Sequence, residues 1–279
     1  MKPPEVLIRI NGQNSDQISV LDHAFLYGFG LFETMRGYDG AIFCLQEHLD
    51  RLYQAAESLQ WILPWEKKEL QAAVLDTIQK VDHPDLYIRL NVTRGLGKSP
   101  DPTTCENPSY VVIVKPYHKS PLEGWDLKPV SIRRNTTSIT SRIKSLNYLD
   151  SILAKQEAKA NNAHEGLMLN EKGEVAEGSM SNLFIVTKAK TLATSNLESG
   201  ILNGITRQVV LKLAKELHIP FEERIIELPE LDKAAEIFCT SSLVELMPVL
   251  QWKNKTVGSG HIGPITQSLL NSYRDRVKL

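Results

Sequence analysis

Residues 116–124 divide this sequence in two. Pro116, Pro121 and Gly124 fall in a polar stretch there, and a separate set of strand-like and helix-like segments runs on either side. Prolines and a glycine in a polar run read as a linker. The 279 residues are therefore expected to form a small N-terminal domain over 1–115 and a larger C-terminal domain over 125–279. In the first half, strands are expected at 6–10, 18–20, 31–37, 41–45, 86–93 and 110–114, with a turn-rich block at His23 to Gly30 and an Asp39-Gly40 hairpin turn. Leu49, Leu52, Ala56 and Leu59 recur at helical spacing in 46–60, as do Leu70, Val74, Ile78 and Val81 in 66–81. The second half places strands at 130–133, 166–169, 182–186 and 236–240. Its helices are expected at 150–161, with Ile152, Leu153, Gln156 and Ala160 inward, at 206–217 and at 263–273. Strands and helices mixed without strict alternation imply α+β, or mixed α/β, packing in two lobes.

Composition narrows the partners. Net charge is −1, which points away from nucleic acid and from a membrane surface. No apolar run approaches the roughly 20 residues of a membrane span. Pro3, Pro4 and Glu5 come too early for a secretory signal. Cys44, Cys105 and Cys239 are far apart and odd in number, so they are expected to be reduced thiols in a cytoplasmic protein. There is no Cys-x-x-Cys, and the histidines lack ligand spacing, so no metal site is expected.

Three motifs carry chemistry. Lys144 lies in Arg142-Ile143-Lys144-Ser145-Leu146-Asn147-Tyr148-Leu149, in a mostly apolar setting just before the helix expected at 150–161. An imine-forming lysine must lose its proton, which such a setting favours; taken by itself the residue reads as a solvated surface lysine, and the motifs that follow reverse that reading. Glu177 follows in Glu177-Gly178-Ser179-Met180-Ser181-Asn182-Leu183-Phe184, where alone it reads as a turn acid on an exposed hairpin. Gly204-Ile205-Thr206 opens a helix, and its N–H groups suit an anion; a plain N-cap is the alternative. In this order a lysine, a carboxylate and a helix start are three parts of a pyridoxal phosphate site: imine former, ring-nitrogen partner and phosphate turn.

Those motifs resemble the fold-type IV pyridoxal phosphate enzymes, which include branched-chain aminotransferases, D-amino acid aminotransferases and 4-amino-4-deoxychorismate lyases. The resemblance runs from His23-Ala24-Phe25-Leu26-Tyr27-Gly28 to Glu245-Leu246-Met247-Pro248-Val249. It implies an enzyme of two domains with the cofactor, pyridoxal 5′-phosphate, between them. It assigns Lys144 as the lysine that carries the cofactor and moves the substrate's proton, and Glu177 as the ring-nitrogen partner. Gly204, Ile205, Thr206, Arg51 and Ser242 are assigned to the phosphate, Tyr148 to the ring oxygen and Leu202 to the ring face. Without the resemblance, Arg51 reads as an ion pair with Glu47.

The reaction is argued from Phe32-Glu33-Thr34-Met35-Arg36. Threonine stands there in similar lyases, where its hydroxyl would assist proton transfer, and glycine in similar branched-chain enzymes. Ser241-Ser242-Leu243 also resembles the lyases. Tyr87-Ile88-Arg89 is similar to a carboxylate-binding pair of branched-chain aminotransferases. The resulting expectation is a lyase, with Lys144 and Thr34 catalytic, that releases pyruvate from 4-amino-4-deoxychorismate. Phe32, Arg36, Tyr87, Arg89, Arg94, Lys98 and Leu243 are its expected substrate contacts. An aminotransferase acting on branched-chain or D-amino acids is the second expectation, and a non-catalytic cofactor-binding protein the third. The family further implies a small-molecule substrate and a homodimer, with His23 to Gly30 at the interface and Arg94 to Pro102 as a lid.

Overall fold

The structure, a computed structural model, describes residues 6–119, 121 and 123–277. Residues 1–5, and Ser120 and Leu122 of the expected linker, lie outside the described residues. The chain forms two compact units. One comprises Met1–Lys119 with Ile143–Asn147, and the other Ser120–Arg142 with Tyr148–Leu279.

The first unit runs β1 (Leu7–Ile10), β2 (Gln13–Asn14), α1 (His23–Tyr27), β3 (Gly30–Tyr38), β4 (Ala41–Ile42), α2 (Leu45–Ser58), α3 (Lys67–Ile78), β5 (Asp85–Thr93) and β6 (Tyr110–Pro116). Its sheet has the order β2-β1-β6-β5-β3-β4, and every pairing is antiparallel. Alternation along the strands separates two faces. Leu31 and Met35 of β3, Ile88, Leu90 and Val92 of β5, and Val112 and Val114 of β6 pack with Leu49, Leu52, Leu70 and Val74 of the helices into one buried core. Asp39 and Gly40 both take positive φ between β3 and β4, as a two-residue hairpin requires.

Residues 18–20 form no strand. The chain turns there into α1, a helix inside the block read as turns, whose N-terminus the Asp22 carboxylate caps by accepting from the Ala24 N–H.

Ile143–Asn147 belongs to the first unit, although the sequence reading placed it in the 125–279 domain. Backbone pairing explains the difference. The Phe32 N–H donates to the Lys144 carbonyl and the Leu146 N–H to the Gly30 carbonyl, both at 2.9 Å. The segment thus runs antiparallel to the start of β3, on the edge away from β5.

The second unit runs β7 (Trp125–Arg134), α4 (Ile139–Arg142), α5 (Leu149–Ala160), β8 (Glu165–Asn170), β9 (Val175–Gly178), β10 (Asn182–Val186), β11 (Leu192–Ser195), α6 (Ile205–Glu216), β12 (Phe221–Arg224), α7 (Leu228–Leu231), β13 (Glu236–Ser241), β14 (Glu245–Trp252), β15 (Lys255–Thr256) and α8 (Pro264–Val277). Its sheet has the order β12-β11-β10-β13-β14-β7-β8-β9, with β15 on β14. It mixes parallel contacts (β11 with β12, β14 with β7, β7 with β8) with antiparallel ones.

The face of α5 differs from the sequence reading. Ser151, Ala154 and Ala158 are buried, whereas Ile152 and Leu153 are exposed. The cause is close packing on β8. A Cβ on Gly166 would stand 2.8 Å from the Ala154 carbonyl oxygen, so only small side chains fit between helix and sheet.

Candidate functional site

The first unit brings the expected substrate residues of its central strands onto one sheet face. In the β3–β5 register Thr34 pairs with Arg89, Phe32 with Asn91 and Arg36 with Tyr87, so Phe32, Thr34, Arg36, Tyr87 and Arg89 all point away from the core. Their surroundings differ. Both ends of the Arg36 guanidinium bind Asp85, and its carbon lies 4.5 Å from the centres of the Tyr38 and Tyr117 rings. Its charge is matched on the spot. The Arg89 guanidinium lies 3.8 Å from the centre of the Phe32 ring and its Nε donates to Asn91 at 2.8 Å, so no carboxylate matches its charge in these two contacts. Lys144 Nζ stands 4.5 Å from the centre of the same Phe32 ring.

On the helix side of β3, Glu33 is fully buried. Arg51 Nε donates to Glu33 Oε1 at 2.8 Å, and Arg51 Nη2 to Glu33 Oε2 at 2.6 Å. His48 Nδ1 lies 2.7 Å from Oε2; the carboxylate can only accept, so that nitrogen carries the proton. Burial would raise the Glu33 carboxyl, but Arg51 and His48 outweigh it and hold it at about 2. Burial lowers His48, opposed by Glu33 and aided by the charges of Arg51 and Lys144, which keeps the imidazole neutral at pH 7. Arg51 is thus oriented by Glu33 from β3, not by the Glu47 that helical spacing suggested.

Arg94 lies 5.5 Å from the centre of the Trp61 ring and donates to the Pro102 carbonyl at 3.2 Å, fastening the 94–102 loop to itself. Lys98 is exposed on that loop.

In the second unit Glu177 stands on β9 and is buried, unlike an acid on an exposed hairpin. Arg134 of β7 grips its Oε1 through Nε and Nη2, with Nε at 2.8 Å. Oε2 accepts from Asn182 Nδ2 at 3.0 Å and from the Leu202 N–H at 3.1 Å. The Arg134 guanidinium is largely buried, which lowers its affinity for a proton, but Glu177 raises it further, and Tyr148 and Asp150 add to that rise. Arg134 is therefore charged at any working pH. Behind it, the buried Glu165 of β8 accepts from the N–H and hydroxyl of Ser179, which fixes the turn after β9.

Gly204 precedes α6 with φ −65° and supplies no side-chain cap. The first N–H groups of a helix have no intrahelical acceptor, so Ile205 and Thr206 present donors at the positive end of the helix dipole. Thr206 is buried. Arg207, also buried, donates to the Ser195 carbonyl at 2.9 Å and to Glu223 at 2.6 Å, anchoring the turn to β11 and β12. Ser242 and Leu243 lie half-buried in the turn between β13 and β14, just before Glu245, which holds a positive φ of 61°. The Thr240 hydroxyl, in register with Asn182, is buried with no hydrogen-bond partner.

Sequence reading missed Glu33, His48, Arg134, Glu165, Asn182 and Arg207. Asn182 lies inside the Glu177-to-Phe184 motif, Glu33 inside the Phe32-to-Arg36 segment, and Arg207 directly follows Gly204-Ile205-Thr206. Arg134 and Glu165 become visible only through strand pairing.

Among the described residues, no cluster of three or more His, Cys, Asp or Glu side chains could hold a metal ion, and no helix is long and apolar enough to cross a membrane.

Comparison with known proteins follows the same lines. The family model described as "Amino-transferase class IV" matches residues 30–252. The Methanocaldococcus jannaschii protein named "Putative branched-chain-amino-acid aminotransferase" is 41% identical over 277 residues, spanning 96% of this chain and 95% of that protein. The aminodeoxychorismate lyase of Bacillus subtilis is 34% identical over 98% of this chain and 95% of its own. Among solved structures, the branched-chain amino acid aminotransferase of Thermobaculum terrenum in its PLP form superposes with a TM-score of 0.88 at 29% identity, covering 99% of this chain and 95% of that one.

Proposed function

Because the chain belongs to the class IV aminotransferase family and is a pyridoxal phosphate-dependent enzyme, we propose that it is an aminotransferase acting on branched-chain or other apolar amino acids with a 2-oxo acid as acceptor. This replaces the lyase as the leading reading. The observation that carries it is 41% identity, over nearly the whole of both chains, to a protein named for branched-chain transamination, against 34% for a lyase. The sheet face of the first unit supports it as well. Arg89 is a guanidinium in contact with Phe32 and Asn91, suited to a substrate carboxylate next to an apolar wall.

The residues present fit the cofactor. Glu177 is a buried carboxylate held by Arg134, Asn182 and a backbone N–H, an acceptor for a protonated ring nitrogen. The start of α6 offers N–H groups and the Thr206 hydroxyl to a phosphate, and the unpartnered Thr240 hydroxyl is a spare polar group in the same unit. When bound, the cofactor supplies an electron sink for the substrate's amino-bearing carbon. The chain does the rest. Lys144 carries the cofactor, then as a free amine takes and returns the proton at that carbon. Glu177 holds the ring proton. Arg51, set by Glu33, is assigned to the phosphate with Ser242. Tyr148 is assigned to the ring oxygen and Leu202 to the ring face. Arg89 orients the carboxylate, with Tyr87 and Leu243 assigned to the substrate beside it. Arg36, already matched by Asp85, is read as the clamp of that face.

The test is a panel of L- and D-amino acids, each incubated with enzyme and 2-oxoglutarate. Glutamate formation from leucine, isoleucine or valine, lost in Lys144→Ala, is the expected result; no transfer from any amino acid sinks the proposal. Thr34 keeps a second reading in play, since it lies on the same face directly opposite Arg89. Pyruvate released from 4-amino-4-deoxychorismate, and lost in Thr34→Gly, would make the enzyme a lyase.

We also propose a homodimer. Val20, Leu21, Phe25, Leu26 and Tyr27 of the first unit, and Leu149, Ile152 and Leu153 of the second, are exposed apolar side chains of the kind that mark protein interfaces.

A further inference from the structure

Asn182 opens β10 and is buried. Its Nδ2 donates to Glu177 Oε2 at 3.0 Å and to the Leu202 carbonyl at 2.9 Å, which uses both hydrogens of the amide. The amide oxygen abuts Gly204, where a Cβ would stand 2.0 Å from it. The Leu202 N–H meets the same Glu177 oxygen at 3.1 Å. One side chain therefore touches a carboxylate, the backbone leading to a helix start and the glycine that opens that helix.

We infer that Asn182 is a positioning residue serving both ends of the cofactor: it sets Glu177 for the ring nitrogen and the 202–206 turn for the phosphate, at a fixed spacing. The inference rests on the roles proposed above for Glu177 and the start of α6. Removing the amide leaves the half-buried Leu202 carbonyl without this donor and takes a donor off the buried Glu177 Oε2. Glu177 stays tied to β7 through Arg134, and the start of α6 to β11 and β12 through Arg207. The side-chain link that keys one to the other is lost. Both cofactor contacts weaken, although neither involves Asn182 directly.

Binding selectivity tests this. The full chain, stripped of cofactor, is titrated with pyridoxal 5′-phosphate, with its analogue in which carbon replaces the ring nitrogen, and with pyridoxal, which lacks the phosphate. Wild type should prefer the natural cofactor over both, giving one ratio for the ring nitrogen and one for the phosphate. In Asn182→Ala both ratios should fall by roughly tenfold, the effect of losing a hydrogen bond to a charged group. Asn182→Ser provides the same reading if the alanine variant folds poorly, and Gly204→Ala, which pushes the amide aside, should reproduce it. A merely structural role weakens all three ligands together and leaves the ratios unchanged; that result overturns the inference, as does a fall in one ratio alone. A wild-type protein without either preference refutes the assignments of Glu177 and the turn themselves, and the inference with them.

Discussion

Glu33 shows how a single buried carboxylate organises its surroundings. It is held at about 2, against an ordinary value of 4.5, by Arg51 and His48 despite full burial. A group whose folded value is depressed contributes stability that is complete above its unfolded value and is lost as pH falls toward the folded one. Between about pH 4.5 and pH 2 the wild type should therefore lose roughly 3 kcal/mol through this residue. Glu33→Gln removes that slope at acid pH and is destabilised at neutral pH, where the half-buried Arg51 has lost its counter-charge. Urea denaturation of both proteins across pH 2–7 measures the difference, and parallel curves would refute the assignment. Glu33 was hidden in the sequence for a simple reason. Its partners, His48 and Arg51, reach it from a helix, and only the alternation of β3 turns it toward them. Glu177 and Gly204 were legible because each sits in a compact motif with its own chemistry; the ion pair from Arg134 to Glu177 crosses strands distant in sequence, and periodicity does not report it.

At the scale of elements, α5 and β8 show where periodicity misleads. The apolar residues Ile152 and Leu153 suggested an inward stripe, yet the helix packs through Ala154 and Ala158 because Gly166 lets it approach the sheet closely. Gly166→Ala should cost about 1–3 kcal/mol, since its Cβ would meet the Ala154 carbonyl and Val130 at 2.8 Å. Gly173→Ala is the control. Nothing lies within 4 Å of its Cβ, and the cost is only that of φ at +84°, about 1 kcal/mol. Thermal melts of the two variants rank them, and equal melting temperatures would count against close packing as the cause. Long elements such as α2, α3, β5 and β6 were readable from spacing or from β-branched runs. Short ones were not. Four-residue strands such as β9, β11 and β12 carry too few side chains to show a period, and α1 was masked by the glycines that follow it.

For the whole molecule, exposed apolar side chains in both units predict association. Light scattering should give twice the chain's 31.4 kDa, and Leu153→Glu or Phe25→Glu should shift the protein toward the monomer; a monomeric wild type refutes the proposed dimer. Chain connectivity has a consequence of its own. The pentapeptide Ile143–Asn147 belongs to the first unit, while the residues on both sides of it belong to the second, so no single break in the polypeptide yields two whole units. A fragment of residues 1–119 would fold with the Gly30–Phe32 edge bare, and one of residues 120–279 would carry its lysine on a dangling loop. Mixing the two fragments restores lysine chemistry only after that loop has been stitched back along the strand, which makes fragment complementation a direct assay of the pairing.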